Sequence, residues 1–188
     1  SKAQTYLAYA QLLRADEKGK TGVIPMLEKA VTTQPTSIAL REALVQEYMR
    51  VGNTDSALTV AQSGAAVTNA PATAGALLAN TYERLGKTEL ATETYRKLVS
   101  SYPQRADWRL KLAELEAGAN RNAQATTLLR GLITERPFDS TAYIVLAKLT
   151  VRDNPREALS ISRELGKHEP HKLTGMLLEG DMLAQSGK

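Results

Sequence analysis

The chain has 188 residues, no cysteine, two histidines and a formal net charge of +4, with 43% apolar and 23% charged residues but a single Phe and a single Trp. The missing cysteines exclude disulfides, thiolate zinc sites and cysteine nucleophiles from this segment. The positive charge is spread along the chain rather than gathered into a basic stripe, which argues against a nucleic-acid partner, and no apolar run is long enough to span a membrane.

So few aromatic and β-branched residues disfavour a sheet, and the richness in Ala, Leu, Glu and Arg favours helices. Many small local interfaces suit this composition better than one large core. Pro35, Pro103, Pro137 and Pro170 stand 68, 34 and 33 residues apart. A period of this length is the signature of a repeat array. It sets units at 4–37, 38–71, 72–105, 106–139 and 140–172, with a partial unit 173–188.

In 4–37, Pro25 falls near the start of the second helical segment and is tolerated there if the helix begins at about Ile24. Unit 38–71 has a thin second helix, with Ala61, Gly64, Ala65 and Ala66 where bulk is expected and Asn69 in place of the proline. Gly within a helix costs about 1 kcal/mol relative to Ala, so this is the expected loosest joint. Unit 72–105 is the most regular. In 106–139, Trp108, Leu112 and Leu115 share one helical face, while Ala125, Leu128, Leu129 and Leu132 share another. Unit 140–172 shortens its turn to Arg152-Asp153-Asn154-Pro155, with Pro155 opening a helix. Residues 173–188 begin one further helix, and Ser1 and Lys188 read as cuts in a longer polypeptide.

Small residues recur in columns. Position eight holds Gln11, Val45, Ala79, Ala113, Ala147 and Gly180. Position twenty holds Val23, Ala57, Ala91, Ala125 and Ala158. Both are expected where two helix backbones cross closely. Position fifteen holds Gly52, Gly86 and Gly187, with Lys18, Asn120 and Asn154 elsewhere, expected as left-handed residues that end the first helix. Tyr6, Tyr48, Tyr82, Tyr95 and Tyr143 fall at packing positions.

These columns, and above all Leu78-Ala79, Tyr82, Gly86, Ala91, Tyr95, Leu98 and Pro103, resemble the tetratricopeptide repeat. The resemblance implies an all-α fold, a right-handed superhelical solenoid of antiparallel helix hairpins with about five and a half repeats in one domain. It implies a non-catalytic scaffold that holds a partner protein or peptide in a concave groove. Carried over by position, the groove residues are Gln46, Asn80, Glu114 and Lys148 at position nine, with Arg50, Arg84 and Arg152 at position thirteen. These positions lie four apart on one helix face. A clamp for a chaperone's terminal carboxylate is disfavoured, because the Asn80 unit carries Ala76 where that clamp needs Lys.

Catalytic signals are weak. Gly19-Lys20-Thr21 and Gly86-Lys87-Thr88 lack the upstream glycine of a phosphate loop. His168 and His171, flanking Glu169-Pro170, read as solvated loop residues without the further ligands zinc needs, and there is no nucleophile elbow. No catalytic residue, metal or cofactor is expected.

At a finer level, Ala158–Leu165, the corner His168-Glu169-Pro170 and Leu178–Leu183 resemble the repeat lipoproteins of bacterial PEP-CTERM/exosortase and exopolysaccharide systems. That resemblance implies an envelope location through an upstream lipid anchor and a scaffolding role in export. A cytoplasmic location is the alternative. The competing function is a substrate-recruiting arm of a larger enzyme, such as a glycosyltransferase, or the sensor arm of a regulator.

Overall fold

A computed structural model describes residues 2–16, 19–168 and 171–187. The fold is all-α. Among the described residues there are eleven α-helices and a short 3-10 turn at Lys20–Gly22, with no strand. The helices are α1 Lys2–Ala15, α2 Val23–Thr33, α3 Ile38–Arg50, α4 Thr54–Ala65, α5 Ala72–Arg84, α6 Thr88–Ser101, α7 Ala106–Gly118, α8 Asn122–Glu135, α9 Ser140–Thr150, α10 Pro155–Gly166 and α11 Lys172–Gln185. No helix is long and apolar enough to cross a membrane among the described residues.

The chain forms two compact units, divided between Leu98 and Val99 within α6. In unit 1 the helices α1 to α5 each pack on the next, and the first helices of successive hairpins, α1, α3 and α5, also touch in sequence. Unit 2 repeats the plan, with α7, α9 and α11 in sequence and α8 and α10 between them. The first helices therefore form one layer in each unit. Each unit has its own core, centred on Leu27, Leu40 and Leu44 in unit 1 and on Leu129, Tyr143 and Leu146 in unit 2.

The small-residue columns are the backbone crossings. Ala57, Ala79, Ala91, Ala113, Ala125, Ala147 and Ala158 have no exposed surface, and Val23 and Val45 are buried with them. A side chain at such a point is limited by the distance between helix axes, so a methyl fits and a longer group would push the pair apart. Two members of the column depart from this. In the first hairpin Ala10 is the buried residue and Gln11 is exposed; Ala10 stands 13 residues before Val23, whereas Val45, Ala79 and Ala113 stand 12 residues before Ala57, Ala91 and Ala125. Gly180 is exposed, and among the described residues no helix packs over it.

The turns follow the backbone chemistry expected of them. Gly52, Gly86 and Gly187 have positive φ, and so does Asn120 at 59°. After Gly52, the Asn53 amide returns to the Tyr48 carbonyl at 2.9 Å; after Asn120, the Arg121 amide returns to Glu116 at 2.8 Å. These bonds satisfy carbonyls that the helix end leaves open. Asn154 does not fit: its φ is −142°, and its side chain instead accepts from the Glu157 amide, capping α10 ahead of Pro155. The residue that stands where other hairpins place a left-handed turn residue serves here as the helix cap. Lys18 and Pro170 lie outside the described residues.

The thin helix α4 is filled from outside. Arg41 of α3 is buried at 5% exposure and lies across Gly64. Its Nε donates to the Pro35 carbonyl at 2.8 Å, and its Nη1 donates to the Val60 carbonyl at 3.1 Å and the Ser63 hydroxyl at 3.0 Å. The bulk expected on α4 is supplied by an arginine, whose buried charge is met by oxygens.

Candidate functional site

The candidate site is the surface of the first-helix layer in unit 1. Its floor is apolar because the helices approach through small or aliphatic residues: Leu7 and Ala10 on α1, Ala39, Ala43 and Val45 on α3, and Leu77 on α5. Two adjoining troughs lie on that floor. One, of about 340 Å³, runs between α1 and α3; the other, of about 240 Å³, runs between α3 and α5. Glu42 and Gln46 line both.

Polar side chains rise from the floor at a fixed phase. Gln11, Gln46 and Asn80 each follow the buried crossing residue of their helix, Ala10, Val45 and Ala79, by one step. One residue turns a helix by about 100°, which carries each amide out of the interface to the surface. All three are exposed. The Asn80 Oδ1 accepts a 2.6 Å hydrogen bond from the Tyr95 hydroxyl of α6. That bond fixes the amide and leaves its N–H₂ as the end available to a ligand.

The charged groups around the troughs differ in how far they are already engaged. Glu47, at 2% exposure, is paired with Arg14 and with Arg50, the latter at 2.8 Å. A carboxylate this buried needs such partners. Glu83 also has a partner. Among the described residues Glu42 and Arg84 have no hydrogen-bond or ion-pair partner, and both are exposed.

Of the groove residues expected from the sequence, Gln46, Asn80 and Arg84 line one trough. Arg50 is exposed on the same helix as Gln46 but is tied back to Glu47 through two nitrogens. Glu114, Lys148 and Arg152 are exposed on unit 2, with Glu114 facing Lys111 at 3.7 Å. The trough between α7 and α9 lies elsewhere, lined by Asp107, Leu110, Arg136 and Asp139. Sequence reasoning missed Gln11 and Glu42. Gln11 is displaced by the one-residue offset of the first hairpin, and Glu42 stands at position five, the place that Ala76 takes in the next unit.

The histidines are more than solvated loop residues. His168 stacks edge-on against Phe138 at 5.4 Å between ring centres, and its Nε2 lies 3.4 Å from the Tyr143 hydroxyl. His171 Nε2 meets the Phe138 carbonyl at 2.7 Å. The two rings brace the α8–α9 corner, and Phe138 and His171 stand 33 residues apart, one short repeat, so this corner meets the one after it. Glu169 lies outside the described residues. No group of three or more His, Cys, Asp or Glu gathers as a metal site among the described residues.

Comparison with known proteins agrees with this architecture. Residues 72–115 match the tetratricopeptide-repeat family. Among solved structures, a tetratricopeptide repeat protein from Parabacteroides merdae superposes with a TM-score of 0.73 at 19% identity, over 99% of this chain and 74% of that one. The C-terminal part of a repeat protein from Cytophaga hutchinsonii gives 0.69 at 15% identity, over 96% and 71%. YrrB, a tetratricopeptide protein with an unusual peptide-binding site, gives 0.65 at 12% identity, over 93% and 90%. No curated protein sequence matches the chain. The chain therefore has the fold of tetratricopeptide-repeat proteins, a fold suited to interaction scaffolds.

Proposed function

We propose that the chain is a non-catalytic scaffold that binds a peptide segment of another protein in the unit 1 troughs. The observation that carries the reading is the row Gln11, Gln46 and Asn80, three exposed amides in phase above an apolar floor. The primary amides of Gln11 and Gln46 each offer a donor and an acceptor together, and Asn80 adds its N–H₂ donor, which matches the alternating groups of a peptide main chain. An apolar floor with a few placed polar groups is how protein sites combine affinity with orientation. The peptide-binding site of YrrB, on a similar fold, supports the reading.

The test is selection of binders from a random peptide library on the wild-type chain, followed by binding to a Gln11→Arg/Gln46→Arg variant. Both residues are exposed, so helicity is expected to be unchanged while capture is lost. Binders retained equally by the variant would move the site elsewhere.

The finer setting, an envelope scaffold for polysaccharide or surface-protein export, is supported by the Ala158–Leu165 and Leu178–Leu183 strings alone. Fractionation of the parent protein tests it. Recovery from the cell envelope supports the setting, and recovery from the cytosol removes it.

A further inference from the structure

We infer that the segment held in the unit 1 troughs is extended and carries a basic side chain for Glu42 and, about four to five residues away, an acidic group for Arg84; this rests on the peptide-binding reading above. The first ground is the inventory of engaged charges. Arg14 shares a trough with Glu42 but is committed to buried Glu47, which also holds Arg50. Glu83 is likewise engaged. Glu42 and Arg84 remain as the two trough charges without a partner among the described residues, and they are of opposite sign.

The second ground is position. Glu42 lines both troughs, so any segment crossing from the α1–α3 trough to the α3–α5 trough passes its carboxylate. Its counterpart on α5 is Ala76, and Arg84 lies eight residues beyond Ala76 on that helix. Eight residues rise by about 12 Å, and the step from α3 across to α5 adds about 9 Å at right angles, a separation of about 15 Å that an extended chain covers in about four to five residues. A helical segment would need about ten residues and would keep its main-chain groups to itself, leaving the amide row unused.

The third ground is desolvation. Seating a chain over Glu42 removes water from a carboxylate, and an uncompensated carboxylate there opposes binding. A lysine or arginine on the ligand turns that penalty into selectivity, and like charge is rejected.

The experiment is parallel selection of random dodecapeptides on the wild-type chain and on Glu42→Lys. Glu42 is exposed, so both proteins are expected to fold alike, checked by circular dichroism. Wild-type binders should share a Lys or Arg with an Asp or Glu about four to five residues away, and Glu42→Lys should select an acidic residue at the basic position. A synthetic wild-type binder should lose tenfold or more in affinity on Glu42→Lys and regain it when its own basic residue is changed to Glu. Wild-type binders without this charge pattern, or bound equally by Glu42→Lys, would overturn the inference while leaving peptide binding in place. Absence of any binder would overturn both.

Discussion

Arg41 occupies the space that a side chain on Gly64 would need. A Cβ at Gly64 would stand 2.8 Å from Arg41 Cδ and 3.2 Å from its Nε. The arginine cannot swing away cheaply, because its guanidinium is bonded to the Pro35 and Val60 carbonyls and to Ser63. Gly64→Ala would normally gain about 1 kcal/mol in helix propensity. Here the loss of those bonds outweighs it, and net destabilisation of about 1–2 kcal/mol is expected by denaturant titration. In an Arg41→Ala background the same change should become neutral or stabilising.

Gly175 and Gly180 on α11 should respond with opposite signs. A Cβ on Gly175 would sit 2.4 Å from the Gly166 nitrogen and 2.5 Å from its Cα. Backbone cannot yield as a side chain does, so Gly175→Ala should destabilise the α10–α11 contact by about 2–3 kcal/mol and raise amide exchange along α11. Nothing lies within 4 Å of a Cβ on Gly180, and Gly180→Ala should gain up to about 1 kcal/mol.

The Tyr48 hydroxyl donates to the Glu28 carboxylate. That bond, with burial and the carboxylate's charge, pushes the phenol up to about 12 from its usual 10. The folded state holds the proton more tightly than the unfolded state. The resulting stability is complete below pH 10 and is lost as pH rises from about 10 to about 12. Unfolding titrations of wild type and Tyr48→Phe should therefore converge across that window, and a constant difference between them would contradict the assignment.

Two arginines at the same repeat position should behave differently. Arg50→Ala removes one of two cations from Glu47, which is 2% exposed, and should destabilise unit 1 by about 1–3 kcal/mol. Arg84→Ala removes an exposed group without a partner among the described residues. It should leave stability within about 0.5 kcal/mol while weakening capture of acidic peptides.

The hairpins were legible in the sequence because backbone crossings admit only small residues, and Ala79, Ala91, Ala113 and Ala125 declare themselves at a fixed period. Capping was legible where Gly or Asn closes a first helix, and misread at Asn154, where one side chain serves a different end. The packing of α4 was not legible, since a charged residue on another helix fills the gap beside Gly64. The site was half legible. Position alone found Gln46, Asn80 and Arg84, but whether an arginine is free depends on a carboxylate buried beside it, as Glu47 beside Arg50 shows. His168 and His171 were misread for a similar reason: their partners Tyr143 and Phe138 stand 25 and 33 residues away in the chain.

The most direct measurement is an amide chemical-shift map of the chain titrated with a library-selected peptide. Perturbations concentrated along α1, α3 and α5, with the side-chain amides of Gln11, Gln46 and Asn80 among the largest, are the predicted result. Perturbations gathered on α2, α4 and the outer face of α6, with those three amides unmoved, would contradict the account.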